Sequence, residues 1–119
     1  MFYDFDWSAA EREFKRAIEL DPNYPPAHQY YAWYLISVGR ANDAVEEAKR
    51  AEMLDPTSVE ISSLLGWWLY LSRRYDEAAA ELQKCIDLEA NYPTCHWLLG
   101  YVYEQQGRFR RRLPLKTRS

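Results

Sequence analysis

One phrase of residues returns every 34 positions, and that period limits this chain to very few folds. Ala10, Phe14, Ala17, Ile18, Leu20, Asp21 and Pro22 are matched by Ala44, Ala48, Ala51, Leu54, Asp55 and Pro56. The third copy is worn: Ala78, Leu82, Cys85, Ile86, Leu88, Glu89 and Ala90. A fixed repeat of this length is built from stacked helical hairpins, each unit burying its apolar face against the next. The expected fold is therefore all-α, an α-solenoid of antiparallel helical hairpins.

The other half of the unit keeps the same period. Leu65-Gly66 and Leu69 match Leu99-Gly100 and Tyr103, and the preceding copy offers Tyr31-Ala32 and Leu35. Small residues at Ala10, Ala44 and Ala78 let two helices approach. Ala32, Gly66 and Gly100 are the matching small sites on the facing helix, with large apolar residues three or four positions away on the helical period. Gly39 and Gly107 suit helix C-caps. Pro22 and Pro56 stop helices, while Pro25-Pro26 and Pro93 suit first-turn positions that need no amide donor. Six helices are predicted, over about 7–20, 25–38, 41–54, 58–72, 75–88 and 92–106.

This pattern resembles the tetratricopeptide repeat: a large-small pair on the first helix, alanine and an aromatic on the second, then proline. The likeness covers about residues 7–107. It departs where His28, Ser62 and His96 replace the tryptophan of the family pattern, and where Ala90 replaces the third proline. The resemblance implies the second half of a repeat at 7–22, repeats at 25–56 and 58–90, and the first half of a repeat at 92–107, all within one repeat domain over 1–107. It also implies a right-handed superhelix with first helices on the concave side. The wording from Asp6 to Phe14 and from His28 to Leu35 is similar to bacterial arrays that follow signalling or transcriptional regulator domains.

Composition narrows the function. The 119 residues are 48% hydrophobic and 16% aromatic, ample for a packed core. No run reaches the roughly 18 apolar residues of a membrane span, and Met1-Phe2-Tyr3-Asp4 is not the start of a signal peptide. A cytoplasmic location is the default expectation, for a whole protein or a piece of a longer one. The net charge of -3 hides a split: residues 1–107 hold nine basic and all 18 acidic residues, whereas residues 108–119 hold six basic and none acidic. An acidic body argues against nucleic acid, because phosphate contacts need Lys and Arg. The basic tail, Arg108 to Arg112 and beyond, is read as a disordered end or as a contact for an anionic surface. Arg112 and Pro114 interrupt the helix that Gly107 would begin.

No reactive constellation is present. The chain has no phosphate-cradling glycine loop, no His-Glu-x-x-His and no Gly-x-Ser-x-Gly. His28 and His96 lie two repeats apart and are read as hairpin-seam residues, not as a shared metal site. Cys85 takes the small core position of Ala17 and Ala51, and Cys95 that of Ala27. Both are expected to be buried thiols, since their spacing matches neither a secreted disulfide framework nor a redox pair. Neither enzymatic activity, cofactor nor metal is expected.

The expected partner is a protein or peptide. On the first helices, Gln29, Trp33, Ser63, Trp67, Tyr70, Trp97 and Tyr101 occupy the positions that the resemblance assigns to the concave groove. Trp33, Trp67 and Tyr101 recur at the repeat period, as an aromatic column would. Either these rings form a binding strip, as Trp and Tyr do at hot spots, or they pack against one another. The family's carboxylate clamp uses Lys, Asn and Arg on this face to hold an acidic C-terminus, and here the face has no cation. A second expectation is self-association through half-repeats. Phe5, Trp7 and Phe14 on the opening helix, and Leu99, Tyr103 and Phe109 near the closing one, are candidate contacts in a head-to-tail or two-fold homo-oligomer. A neighbouring domain covering them is the rival.

Overall fold

The computed structural model describes residues 7–107, Trp7 through its backbone only. Six helices follow one another: α1 (Trp7–Leu20), α2 (Pro25–Ser37), α3 (Ala41–Leu54), α4 (Val59–Leu71), α5 (Tyr75–Leu88) and α6 (Pro93–Gln105). Each begins and ends within one residue of the sequence-based expectation. Pro25 and Pro93 open α2 and α6 where a missing amide hydrogen costs nothing. Ser58 caps α4, its hydroxyl accepting the Ile61 amide at 3.2 Å.

The chain divides into two compact units, one ending at Pro56 and the other beginning at Thr57. In the first unit α2 and α3 form a hairpin and α1 packs on α2; in the second α4 and α5 form a hairpin, α6 packs on α5, and α4 also meets α6. Alanines at the seams carry the close approach. Ala32, Ala44 and Ala51 are fully buried in the first unit, as are Ala78 and Leu82 in the second. A small side chain on one helix admits a large one from its neighbour at interior packing density.

Each first helix ends in the same left-handed turn. Gly39 and Gly107 adopt φ of +82° and +78°, and Arg73, their equivalent one repeat from each, adopts +63°. The Arg40 and Arg74 amides then reach back to the Leu35 and Leu69 carbonyls at 2.8 and 2.9 Å, closing the turn in the Schellman manner. A side chain in this conformation costs about 1–2 kcal/mol, so at Arg73 the packing of α4 on α5 imposes a turn that the residue itself disfavours.

Two glycines in equivalent positions play opposite parts. A Cβ built on Gly66 would lie 2.5 Å from Cδ2 and 2.7 Å from Cγ of Leu82, whereas one built on Gly100 would meet no described atom within 4 Å. Gly66 is therefore a contact site and Gly100 an open one. Gly66→Ala is expected to destabilise the protein by about 1–3 kcal/mol, because the fully buried Leu82 would have to shift to admit the added methyl group. Gly100→Ala is expected to stabilise it by up to about 1 kcal/mol through helix propensity. Urea denaturation of both variants checks the contrast; equal effects would mean that Leu82 yields freely.

Candidate partner-binding site

The first helices carry the aromatic side chains. On α6, Trp97 and Tyr101 are 55% and 48% exposed, with ring centroids 5.4 Å apart and planes at 87°. The spacing of four residues puts both on one stripe of the helix, and the edge-to-face contact fixes their mutual orientation. On α4, the half-buried Trp67 and Tyr70 stack at 5.5 Å and 13°, and Tyr75 at the start of α5 leans on Tyr70 at 5.8 Å. In the first unit, Trp33 on α2 is 49% exposed and Gln29 is half-buried. No Lys or Arg lies on α2, α4 or α6.

Ser63 departs from expectation. It is only 4% exposed, and its hydroxyl donates to the Glu60 carbonyl at 2.8 Å. Buried and bonded to its own helix, it offers no polar group to a ligand.

The candidate self-association residues divide. Phe14 is half-buried against Tyr31 and Tyr34, with centroids at 6.3 and 5.4 Å. Leu99 is not a surface residue at all, being 7% exposed, because the packing of α6 on α5 covers it. Tyr103 is half-buried, and Gly100 beside it is exposed. On α1, Ala17 is exposed although its equivalents Ala51 and Cys85 are fully buried. The side chains of Phe5, Trp7 and Phe109 lie outside the described residues, as does the basic tail.

Polar ties that the repeat pattern did not signal hold the first unit together. The Tyr31 hydroxyl donates to Glu11 Oε2 at 2.6 Å, and Arg40 Nη1 donates to the same oxygen at 2.9 Å. These two hydrogen bonds, Tyr31 first, hold the Glu11 carboxyl below its ordinary value. Burial, and then the bond to Glu11, push the Tyr31 hydroxyl well above its own. His28 Nδ1 lies 2.9 Å from Glu47 Oε1 and Nε2 lies 2.8 Å from the Pro22 carbonyl; Arg50 pairs with the other Glu47 oxygen. His96 repeats half of this, its Nε2 facing the Ala90 carbonyl at 2.7 Å. In both copies the histidine ties the start of a first helix to the carbonyl six residues earlier. A cleft of about 410 Å³ opens beside His28, Glu47 and Arg50, walled by Ile18, Met53 and Leu54. Its polar groups are already bound to one another. Among the described residues no group of three His, Cys, Asp or Glu could hold a metal ion, and no helix is long and apolar enough to cross a membrane.

The cysteines overturn the expectation of free thiols. Cys85 on α5 and Cys95 on α6 form a disulfide, Cα atoms 6.4 Å apart, fully buried. The antiparallel return of α6 along α5 places the two small core positions opposite each other, which a separation of ten residues does not reveal. Closing so short a loop stabilises a fold by roughly 2–3 kcal/mol in the chain-entropy account. The bond persists where the surroundings are oxidising, and cytosolic reductants would open it.

Comparison with known proteins agrees with this architecture. A family model described as tetratricopeptide repeat matches residues 2–67, and one described as TPR repeat matches residues 69–107. No curated protein sequence matches. A crystal structure of MamA superposes with a TM-score of 0.77 at 30% identity, covering 87% of this chain and 60% of that one. This chain thus spans about six-tenths of the length of that MamA chain. The Sgt2 TPR domain from Aspergillus fumigatus gives a TM-score of 0.76 at 22% identity, covering 88% of this chain and 71% of that one. The first TPR of Spaghetti (RPAP3), bound to the HSP90 peptide SRMEEVD, gives 0.76 at 16%, covering 85% and 80%. At such identities the last two likenesses are of fold.

Glu11 makes α1 docking pH-dependent. A carboxyl held below its unfolded value contributes stability that is complete above that value and is lost as pH falls through the folded one. The stability gap between the native chain and Glu11→Gln is therefore expected to be constant near neutrality and to close in acid, as followed by thermal melts at stepped pH. A gap unchanged down to strongly acid pH would show that the Tyr31–Glu11–Arg40 contact does not depend on an ionised Glu11.

Proposed function

Since the chain belongs to the tetratricopeptide repeat family, whose repeats are typically protein-interaction modules, we propose that it holds a peptide or partner-protein segment against the aromatic faces of its first helices. The observation that carries this reading is the half-exposed pair Trp97 and Tyr101, together with Trp33 at the register position of Tyr101. A half-exposed tryptophan leaves on the order of 100 Å² of ring surface in water, and covering it returns roughly 2–3 kcal/mol. Trp97 and Tyr101 together supply much of a micromolar affinity, about 8 kcal/mol. The exposed Gln105 and half-buried Gln29 offer polar groups alongside.

The test uses the exposed rings, whose truncation disturbs the core least. Trp33→Ala combined with Trp97→Ala is expected to reduce capture of partner proteins from source-cell extract at least tenfold, with helicity by circular dichroism unchanged. Retained capture would remove this reading.

A second reading, self-association, is favoured by the open Gly100 face and the exposed Ala17. Each is the half of a seam that is closed at Gly66 and at Ala51. A second copy docking there would complete a composite hairpin. Light scattering over a dilution series is expected to show concentration-dependent mass. A constant monomer mass at high micromolar concentration excludes this reading and leaves the aromatic one standing.

A further inference from the structure

The aromatic face of the second unit has a one-sided charge. Its only cations among residues 57–107 are Arg73, Arg74 and Lys84, against seven acidic residues, and none of the three lies on α4 or α6. Two of the acidic residues stand on the aromatic stripes. Glu104 follows Trp97 and Tyr101 on α6 at intervals of four and three residues, and Glu60 precedes Trp67 on α4 by seven. Those intervals bring side chains to one face of a helix. Both glutamates are exposed, and neither carboxylate takes part in an ion pair among the described residues. The carboxylates of α5 differ: Glu77 is held by Arg74 and Glu81 by Lys84. Two of the four carboxylates of α5 are thus paired with cations, and Asp76 and Asp87 accept from Gln106 and Gln83, whereas the two carboxylates beside the rings have no cationic partner among the described residues.

From this juxtaposition we propose that the α4–α6 face binds a cationic segment of a partner protein, an extended stretch bearing arginine or lysine side chains. The proposal rests on the interaction reading above and names the chemistry of its partner. A guanidinium or ammonium group laid on the face of Trp97 or Tyr101 meets the negative side of the ring quadrupole. The alkyl stem covers the exposed ring carbon at the same time. Glu104 at one end of the α6 stripe and Glu60 near the start of α4 then receive neighbouring cations of the same segment. Arginine suits this best, since its planar group both stacks on a ring and presents paired donors to a carboxylate. An acidic segment meets two carboxylates that are unpaired among the described residues, and no cation on α4 or α6. A neutral segment gains the rings but not the glutamates.

Fluorescence anisotropy on the full chain tests this with three labelled twelve-residue probes: alternating Arg-Ser, alternating Gln-Ser and alternating Glu-Ser. The Arg-Ser probe is expected to bind at least tenfold more tightly than Gln-Ser, with Glu-Ser weakest, and its affinity to fall as salt is raised. Glu60→Gln with Glu104→Gln is expected to weaken Arg-Ser about three- to tenfold. Glu13→Gln with Glu46→Gln, which removes the same charge from exposed positions on α1 and α3, is expected to change it less than twofold. Trp97→Ala, which alters no charge, is expected to weaken it about tenfold. Equal binding of Arg-Ser and Gln-Ser overturns the cationic proposal and leaves the aromatic reading intact. Equal loss from the two glutamine pairs, or indifference to Trp97→Ala, overturns it as a diffuse attraction to an acidic body. Absence of binding by all three probes also overturns it, whereas failure of the Trp33 and Trp97 variants to affect partner capture removes the underlying reading.

Discussion

The contact on which this molecule depends is the close approach of paired helices at positions without bulk. Leu82 sits where the Cβ of any other residue at Gly66 would have to be, and Ala32, Ala44, Ala51 and Ala78 are likewise enclosed. A short helix of some thirteen residues is marginal alone in water. Helices this short stay folded because each inserts large side chains into its neighbour's small-residue gaps. The same constraint divides the surface. Seam-facing positions are spent on packing, and only the outer stripes of the first helices are left to carry large rings with part of their area in water.

Around that packing, local polar contacts orient the elements. Glu11 joins α1 to the middle of α2 through Tyr31 and to the start of α3 through Arg40, while His28 joins the turn before α2 to Glu47 on α3. In the second unit the corresponding restraint on the last helix is covalent, through Cys85 and Cys95. Each unit thus secures its outer helix by a different chemistry, one sensitive to acid and one to reductant. The aromatic face of α6 depends on the second, since Trp97 lies two residues from Cys95.

The fold was almost wholly legible because its signals were redundant. Alanine spacing, proline placement and the recurrence of whole phrases all gave the same six helices. The candidate site was legible only in outline. Register placed Trp97 and Tyr101 on one stripe, and the absence of Lys and Arg from the first helices could be read directly. Exposure could not. Ser63 shares the register of Trp97, yet it is buried while Trp97 is half exposed, and register alone does not give the surroundings of a helix. Leu99 was misjudged for the same reason: burial depends on which side of a helix its neighbour approaches. The left-handed turn at Arg73 was hidden by the residue itself, although its equivalents Gly39 and Gly107 mark the spot.

The sequence by itself determined the repeat, the helices, the acidic balance of the body and the set of aromatic residues on the first helices. These follow from period and composition, which chain order preserves. Only the tertiary structure decided that Cys85 and Cys95 are bonded, that Glu11 and Glu47 are tied to partners 20 and 19 residues away, and that Glu60 and Glu104 have no ion-pair partner among the described residues. Such pairings turn on distances of a few ångströms between side chains of different helices. A pattern of residue types along one chain does not encode those distances until the helices have packed.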